Sequence, residues 1–558
     1  MACWPHWCLS CALHERFAAG TSARLHAVKE LSWFSVKARL GGWGDIIVGR
    51  ARTTHPAAWL VALAAVFFAA TFGALGVQNH RNFGTWSYDM GIYDQATWLI
   101  SRGDSFMSVR GMDVWGHHVN LILLLLAPFY WFGAGPEFLY VVQACALALG
   151  AVPLYLIARD KFKTPWMGLL FAVVYLMYVP VQWISWAMFH PEALVIAPLL
   201  YAWWFATKQR WGWCYAMVLL ALSTREDTAL AVFMMGLVLL VYLRDAPDFR
   251  RVARKCVGLM ALGLMWYLVC TRVILPAFND GKEPFYITYF YGNYGDSTPE
   301  ILGTILREPD KVVSDAVQHD RLVFYKQMSW PLGWVYLANP LALLMALPQL
   351  LASVIGLSPY ARMVKYQYTS VMIAPMMIAS VHGAFMFWRF RVARTVLPLW
   401  MLLCSYTANV AWSPSELNKD AFAVWSQPHP RHESLRVALT YIPDGAAVTA
   451  SYQLLPHLSH REHIYDWPNP FKAAVWGNDD CAYLPDPTII EYVALDRSQI
   501  GDNNQELFDD MFAEGGPFEV VYEDEVVVVA KRVGTTPEVD VRPQASSCQE
   551  LAARRGAG

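Results

Sequence analysis

The chain contains 558 residues, of which 56% are hydrophobic and only 16% are charged, whereas soluble proteins carry about a quarter of charged residues. This depletion indicates that much of the protein lies in hydrocarbon, and it excludes an ordinary soluble enzyme of this length. The net charge of −2, without a basic domain or a nucleic-acid motif, argues against DNA or RNA as a partner.

Residues 1–56 form a leader that carries seven Lys or Arg residues and no compact apolar core followed by a cleavage site. This pattern predicts a basic cytoplasmic leader, partly disordered, rather than a secretory signal peptide. Cys3, Cys8 and Cys11 lie in this leader, but three cysteines in such a segment are only a weak indication of a zinc site.

Long apolar runs follow between residues 57 and 411. A helix needs about 18 or more apolar residues to cross a bilayer. Six runs reach or approach this length, at 57–77, 138–158, 166–183, 256–275, 369–388 and 395–411. Three shorter runs (192–206, 211–223, 228–243) and the interrupted stretch 321–356 bring the prediction to ten or eleven spans, an α-helical polytopic membrane domain over 57–411.

Lys and Arg residues orient these spans because they favour cytoplasmic loops. Basic clusters occur in the leader and at 159–163, 208–210, 244–255 and 389–394. All of them are cytoplasmic if the short apolar stretch 121–132 does not cross the membrane. The first loop 78–137, the later loops at 184–191 and 224–227, and the whole chain after 412 are then extracytoplasmic.

The chain after Ser413 changes character and predicts a small extracytoplasmic α/β domain over 412–533, followed by a flexible tail at 534–558. Runs rich in Val, Ile and Tyr indicate strands. The predicted strands are 446–451, 489–496, 518–522 and 526–531, and the predicted helices are 434–441 and 504–514. Cys481 and Cys548 lie outside the membrane, and a disulfide between them is an open alternative.

The run from Trp86 to Trp98 in the first extracytoplasmic loop contains two aspartates, Asp89 and Asp94, with Gln95 beside the second. Residues five apart do not share a helix face, so we expect one carboxylate to precede a helix and the other to lie on it. Asp89 suits a helix N-cap, which is the structural reading. The functional reading is a general base that takes a proton from an acceptor hydroxyl.

More polar residues occur in the same loop and at other extracytoplasmic helix ends. His117 and His118 close the first loop, and His190 and Glu192 begin a later span. Ionisable groups at such depth usually face a protein cavity. Tyr368 precedes a span that enters from the same side, where it either lines that cavity or serves as an interfacial aromatic residue.

Arg225, Glu226 and Asp227 join two spans. They either pair among themselves or leave Arg225 to hold a phosphate, a task that its forked guanidinium suits. Arg272 is a second cation near an outer helix end, where snorkelling explains it equally well. The His, Asp and Glu residues could also bind a divalent metal, but they lack a compact ligand spacing, so we expect neither a metal nor another cofactor.

These motifs in combination resemble a family of bacterial predicted membrane proteins with a domain of unknown function. The resemblance covers about residues 57–533 and rests on the run from Tyr88 to Gln95, then His117-His118, His190-Pro191-Glu192 and Arg225-Glu226-Asp227. That family is in turn similar to the GT-C superfamily of membrane glycosyltransferases, such as the protein mannosyltransferases and the lipid A aminoarabinose transferase.

The resemblance implies a GT-C-like transferase of the bacterial plasma membrane that takes a sugar from a polyprenyl-phosphate donor. Asp89 or Asp94 would deprotonate the hydroxyl of a cell-envelope acceptor, which attacks the anomeric carbon with inversion. Arg225 would stabilise the leaving phosphate, while Gln95, His117, His118, His190, Glu192, Glu226, Asp227 and Tyr368 would line the substrate site. A lipid or solute transporter and a non-catalytic scaffold remain the alternatives.

Overall fold

The computed structural model describes residues 54–279, 281, 284, 286–420, 424–472, 474, 476 and 484–533. The predictions for the leader before Thr54, for Cys481 and Cys548, and for the tail after Val533 lie outside these described residues. Within them the chain is mostly helical up to Trp412 and forms a small sheet after it, so the predicted fold class, a helical membrane domain followed by an α/β domain, is confirmed.

Four helices of the described part of the chain are long and apolar enough to cross a membrane. They are Pro56–Arg81, Pro136–Phe162, Phe249–Ala277 and Gln367–Phe387. A fifth span results if Pro165–Leu176 and Val179–Trp186, which meet at 45°, are counted as one. The break has a local cause, because Pro180 lacks an N–H and its ring clashes with the carbonyl four residues earlier, at Leu176.

The remaining helices of the membrane domain are shorter or less apolar. Outside the first loop they are Ile196–Thr207, Trp211–Leu222, Thr228–Tyr242, Tyr286–Tyr291, Thr298–Arg307, Pro309–Ala316, His319–Ser329, Leu347–Ile355 and Ala393–Trp412. Between residues 330 and 345 the chain runs through three 3-10 turns, so the stretch 321–356 is interrupted, as predicted. The predicted count of ten or eleven spans includes several of these short helices and stays a prediction.

The first loop folds into several short elements between the helices Pro56–Arg81 and Pro136–Leu149. They are the helices Ile92–Ile100, Val114–His117 and Leu123–Tyr130 and the two-residue strands β1 (Phe106–Met107) and β2 (Met112–Asp113). Leu123–Tyr130 has eight residues, about 12 Å at 1.5 Å per residue, against roughly 30 Å of hydrocarbon. This stretch is therefore too short to span. The placement of all the basic clusters on the cytoplasmic side had required the same.

The tail domain is built on a five-stranded sheet. Its strands are β3 (Val448–Ala450), β4 (Ile464–Asp466), β5 (Tyr492–Asp496), β6 (Phe518–Glu523) and β7 (Val527–Arg532), in the order β4-β3-β5-β7-β6. β3 pairs in parallel with both β4 and β5, while β7 is antiparallel to β5 and β6. The helices Arg431–Leu439 and Gln505–Phe512 complete the domain. The sequence pattern missed β4, which has only three residues.

The tail domain packs directly on the first loop, and this contact forms part of the main hydrophobic core. Gln95 is fully buried at the contact, where its amide donates to Ser108 Oγ at 2.7 Å and to the Arg461 carbonyl at 3.0 Å. Ser108 Oγ also accepts a hydrogen bond from Ile464 N at 2.9 Å. The loop that carries Asp89 is therefore held on one side by the membrane helices and on the other by the tail domain.

Candidate active site

Asp89 lies at the centre of a strained turn, Ser87–Gly91, that follows the first long helix. Its backbone has φ 68° and ψ −84°, a conformation that costs a non-glycine residue free energy and clusters at functional sites. The next helix begins at Ile92 with Gly91 as its N-cap, and no side chain caps it. The N-cap reading of Asp89 is therefore wrong, because its carboxylate turns away from the helix that it was expected to cap.

The Asp89 carboxylate instead contacts His190. Oδ1 lies 3.0 Å from Nε2 of His190, and Oδ2 accepts a longer hydrogen bond of 3.4 Å from the Trp86 indole. The Asp89 side chain is 29% exposed, whereas that of His190 is 2% exposed. Asp89 is thus partly accessible to solvent, while the buried His190 ring fixes its orientation.

The charge state of His190 follows from this contact. Burial lowers the pKa of His190, but the negative charge and the hydrogen bond of Asp89 outweigh burial and raise that pKa above its ordinary value. The backbone N–H of His190 donates to Gln143 Oε1 at 2.9 Å, which fixes the ring's position.

Arg225 lies beside this pair and is held by two carboxylates. Nη1 donates to Glu192 Oε1 at 2.7 Å, Nε donates to Asp227 Oδ1 at 2.9 Å, and Nη2 bonds the other oxygen of Asp227. In this structure Arg225 therefore pairs with Asp227, as the first of the two alternatives from the sequence proposed, and also with Glu192. Because a guanidinium has five N–H donors, two remain beyond these three hydrogen bonds.

Glu226 points in a different direction from Asp227 and binds the end of the first loop. Its Oε1 lies 2.8 Å from His118 Nδ1, and Oε2 accepts from Val119 N at 3.1 Å. Burial raises the pKa of Glu226, but His118 and Arg225 outweigh it and hold that pKa well below its ordinary value. The His117 ring is packed on His118, with centroids 4.6 Å apart. Both histidines thus brace the loop against the 224–228 connection.

Two buried polar atoms in this cluster have no hydrogen-bond partner among the described residues, namely His190 Nδ1 and Glu192 Oε2. Buried polar groups normally find partners, so such atoms in a cavity call for a ligand or a water. Tyr368, in the 3-10 turn Gln367–Thr369, lies within electrostatic range of Asp89, Arg225 and Glu192. These residues together can receive a polar substrate.

Asp94 and Gln95 lie apart from this cluster. Asp94 is fully buried and accepts hydrogen bonds from Tyr130 Oη at 2.7 Å and Ser459 Oγ at 2.5 Å, while His460 Nε2 lies 3.0 Å away. These partners join the loop to the tail domain. The structure thus brings together all the predicted site residues except Asp94 and Gln95.

Sequence reasoning missed the contribution of the tail domain to this region. Tyr452 O accepts a hydrogen bond from Ser87 N at 2.8 Å, and its ring packs against those of Trp86 and Tyr88. No local motif marks Tyr452, which is an ordinary tyrosine just beyond a strand. Among the described residues, no group of three or more His, Cys, Asp or Glu side chains is arranged to hold a metal ion.

Comparison with known proteins places the chain in a family. Residues 79–529 match the family model described as "Predicted membrane protein (DUF2079)", and the chain belongs to this family. No curated protein matches it. Among solved structures, ArnT from Cupriavidus metallidurans bound to undecaprenyl phosphate is similar with a TM-score of 0.45 and 14% sequence identity, covering 85% of this chain and 99% of that chain.

Proposed function

We propose that this member of the DUF2079 family is a membrane glycosyltransferase that moves a sugar from a polyprenyl-phosphate donor to an extracytoplasmic acceptor hydroxyl. The observation that carries the proposal is the contact between Asp89 and His190, which fixes a partly exposed carboxylate in a strained turn. A base at this point of the chain, after the first span, is what the resemblance to GT-C enzymes implies.

Asp89 is the general base of the proposed reaction. Its Oδ2 atom has one weak partner and takes the proton of the acceptor hydroxyl, while His190 holds Oδ1. The acceptor oxygen then bonds to the anomeric carbon as the bond from that carbon to the donor phosphate breaks. A single displacement inverts the configuration and releases the polyprenyl phosphate. Asp94 is not the base in this scheme, because three partners enclose it.

The remaining cluster residues bind the substrates. The two further N–H groups of Arg225 stabilise the phosphate as negative charge develops on it. The buried Glu192 Oε2 atom accepts a hydrogen bond from a sugar hydroxyl, and His190 Nδ1 contacts a second polar group of the substrate. His118 and Glu226 keep the loop in place rather than touching the substrate.

The membrane arrangement completes the proposal. The protein is a multi-pass protein of the bacterial plasma membrane with a cytoplasmic N-terminus. The loops that carry Asp89, His190 and Arg225, together with the tail domain, lie on the extracytoplasmic side. The cell-envelope acceptor, whether glycan, lipid or protein, is reached from that side.

The test is transfer of radiolabelled sugar from a panel of polyprenyl-phosphate donors by the purified full-length protein. Wild type is compared with Asp89→Asn and with Asp104→Asn, a matched control because Asp104 is an exposed aspartate of the same loop. The expected result is transfer by wild type and by the control and its loss in Asp89→Asn. Correctly folded wild type that transfers no sugar from any donor would contradict the proposal.

A further inference from the structure

The tail sheet presents its carboxyl edge to the catalytic loop. Strands β4, β3 and β5 are parallel, with Ala450 opposite both Asp466 and Ala494, so their carboxyl ends lie at one edge. The chain passes from β3 to β4 on one side and then returns across β3 to β5 on the other. In α/β sheets the crevice at such a reversal is where ligands bind.

Tyr452 extends from this edge toward Asp89. It lies two residues beyond β3, and its backbone carbonyl accepts from Ser87 N at 2.8 Å. The rings of Tyr452 and Trp86 are parallel within 7° with centroids 6.1 Å apart, and Tyr88 lies 5.8 Å from Tyr452. Tyr452 is 37% exposed, so part of its ring is accessible to a ligand.

Asp466, the last residue of β4, lies at the same edge. Its Oδ1 atom is buried and has no hydrogen-bond partner among the described residues. Burial raises the pKa of Asp466 to about 7, an effect that the neighbouring Ser87 lowers in part. The Oδ1 atom of Asp466 is therefore a hydrogen-bonding atom without a partner among the described residues, near the accessible ring of Tyr452.

We infer that this carboxyl edge, through Tyr452 and Asp466, binds the acceptor of the reaction, and that the acceptor is a carbohydrate. An aromatic surface with a few convergent polar groups suits a ligand that has an apolar ring face and peripheral hydroxyls. Asp466 takes one of those hydroxyls, and the ring of Tyr452 supports the sugar face. The inference rests on the proposed function, whose acceptor it assigns to the tail domain.

The experiment measures binding directly, so that it does not depend on transfer. The probes are the methyl glycosides of glucose, galactose, mannose and N-acetylglucosamine, titrated by saturation-transfer NMR against the full-length protein in nanodiscs. The variants are Tyr452→Ala and Asp466→Asn. The control is Tyr441→Ala, because Tyr441 is a similarly exposed tyrosine of the same domain that stacks on Tyr522 instead. Since the Ser87–Tyr452 hydrogen bond is a main-chain bond, Tyr452→Ala retains it.

The expected result is saturable binding of at least one glycoside to wild type and to Tyr441→Ala, and affinity about tenfold lower in both edge variants. The inference is overturned if no glycoside binds, if Tyr452→Ala binds as wild type does, or if the control weakens equally. Failure of the proposed function is distinct, because it would appear as absence of transfer by wild type whatever the binding data show.

Discussion

Asp89 Oδ1 lies 3.0 Å from His190 Nε2, although 101 residues separate the two in the chain. The contact joins a strained turn after the first long helix to the start of a later one. A partly exposed carboxylate and a buried histidine thus act as one unit, in which the histidine sets the orientation of the carboxylate.

Asp89→Asn and Asp94→Asn should differ in what they impair. Removing a general base costs about 10²- to 10⁴-fold in rate, so Asp89→Asn should lose transfer while its thermal unfolding stays near that of wild type. Asp94→Asn should lower the unfolding temperature, because its amide cannot accept from all of Tyr130, Ser459 and His460. Sugar transfer and thermal unfolding are measured on both. Retained transfer in both variants would exclude Asp89 and Asp94 as the base.

His190→Gln should change the pH dependence of transfer as well as its rate. Because Asp89 raises the pKa of His190, the histidine stays protonated to higher pH than a free imidazole, and activity should fall as it deprotonates on the alkaline side. The glutamine variant cannot titrate, so its lower rate should lack this alkaline limb. The measurement is kcat/KM against pH, with the exposed His319→Gln as control. If His190→Gln loses activity at high pH as the wild type does, the titrating group is a residue other than His190.

The sequence predicted the membrane domain because a helix that crosses the hydrocarbon needs a long apolar run, and such runs are visible in the sequence. It also predicted most of the tail domain, since Val- and Ile-rich runs mark β5 and β7. β4 was missed because only Ile464 and Tyr465 favour a strand there and polar residues flank them on both sides, whereas β3 lies in the longer run 446–451. The prediction consequently also missed Asp466, the last residue of β4, as a residue at the carboxyl edge of the sheet.

The candidate site was predicted as a set of residues but not as a set of contacts. His190, Glu192 and Arg225 stand out because charged groups near spans are rare. Which carboxylate would hold Arg225, and that Asp94 would face the tail domain, depend on long-range packing that one sequence does not reveal. The strain at Asp89 is likewise invisible, because its φ of 68° is imposed by the surrounding structure.

Arg225→Met should destabilise the protein through Glu192 more than through Asp227. Glu192 is 3% exposed and would be left as an unpaired buried carboxylate, whereas Asp227 is 27% exposed and can be hydrated. Removing one partner of a buried ion pair costs about 3–5 kcal/mol, because the other charge is left buried and unpaired. The free energy of unfolding of Arg225→Met should therefore recover in Arg225→Met/Glu192→Gln, and recover less in Arg225→Met/Asp227→Asn. The exposed Arg251→Met serves as control, and equal recovery in both double variants would refute this ranking.

The contact between His460 and Asp94 should make the docking of the tail domain dependent on pH. Burial lowers the pKa of His460, but Asp94 outweighs burial and raises that pKa above its ordinary value. A raised folded-state pKa gives a stabilisation that is fully present below the unfolded value, about 6.5, and is lost as pH rises through the folded value.

His460→Asn should consequently lower the unfolding temperature clearly at about pH 6 and little at about pH 9. The side chain of His460 is 40% exposed, so solvent screens the pair and the effect should be modest. His463→Asn, on the same segment but exposed, should show no such dependence. Because the pair joins the first loop to the tail domain, proteolysis between the membrane domain and the sheet should follow the same pH trend. A destabilisation by His460→Asn that is equal at both pH values would show that packing, rather than the charge of His460, holds the two parts together.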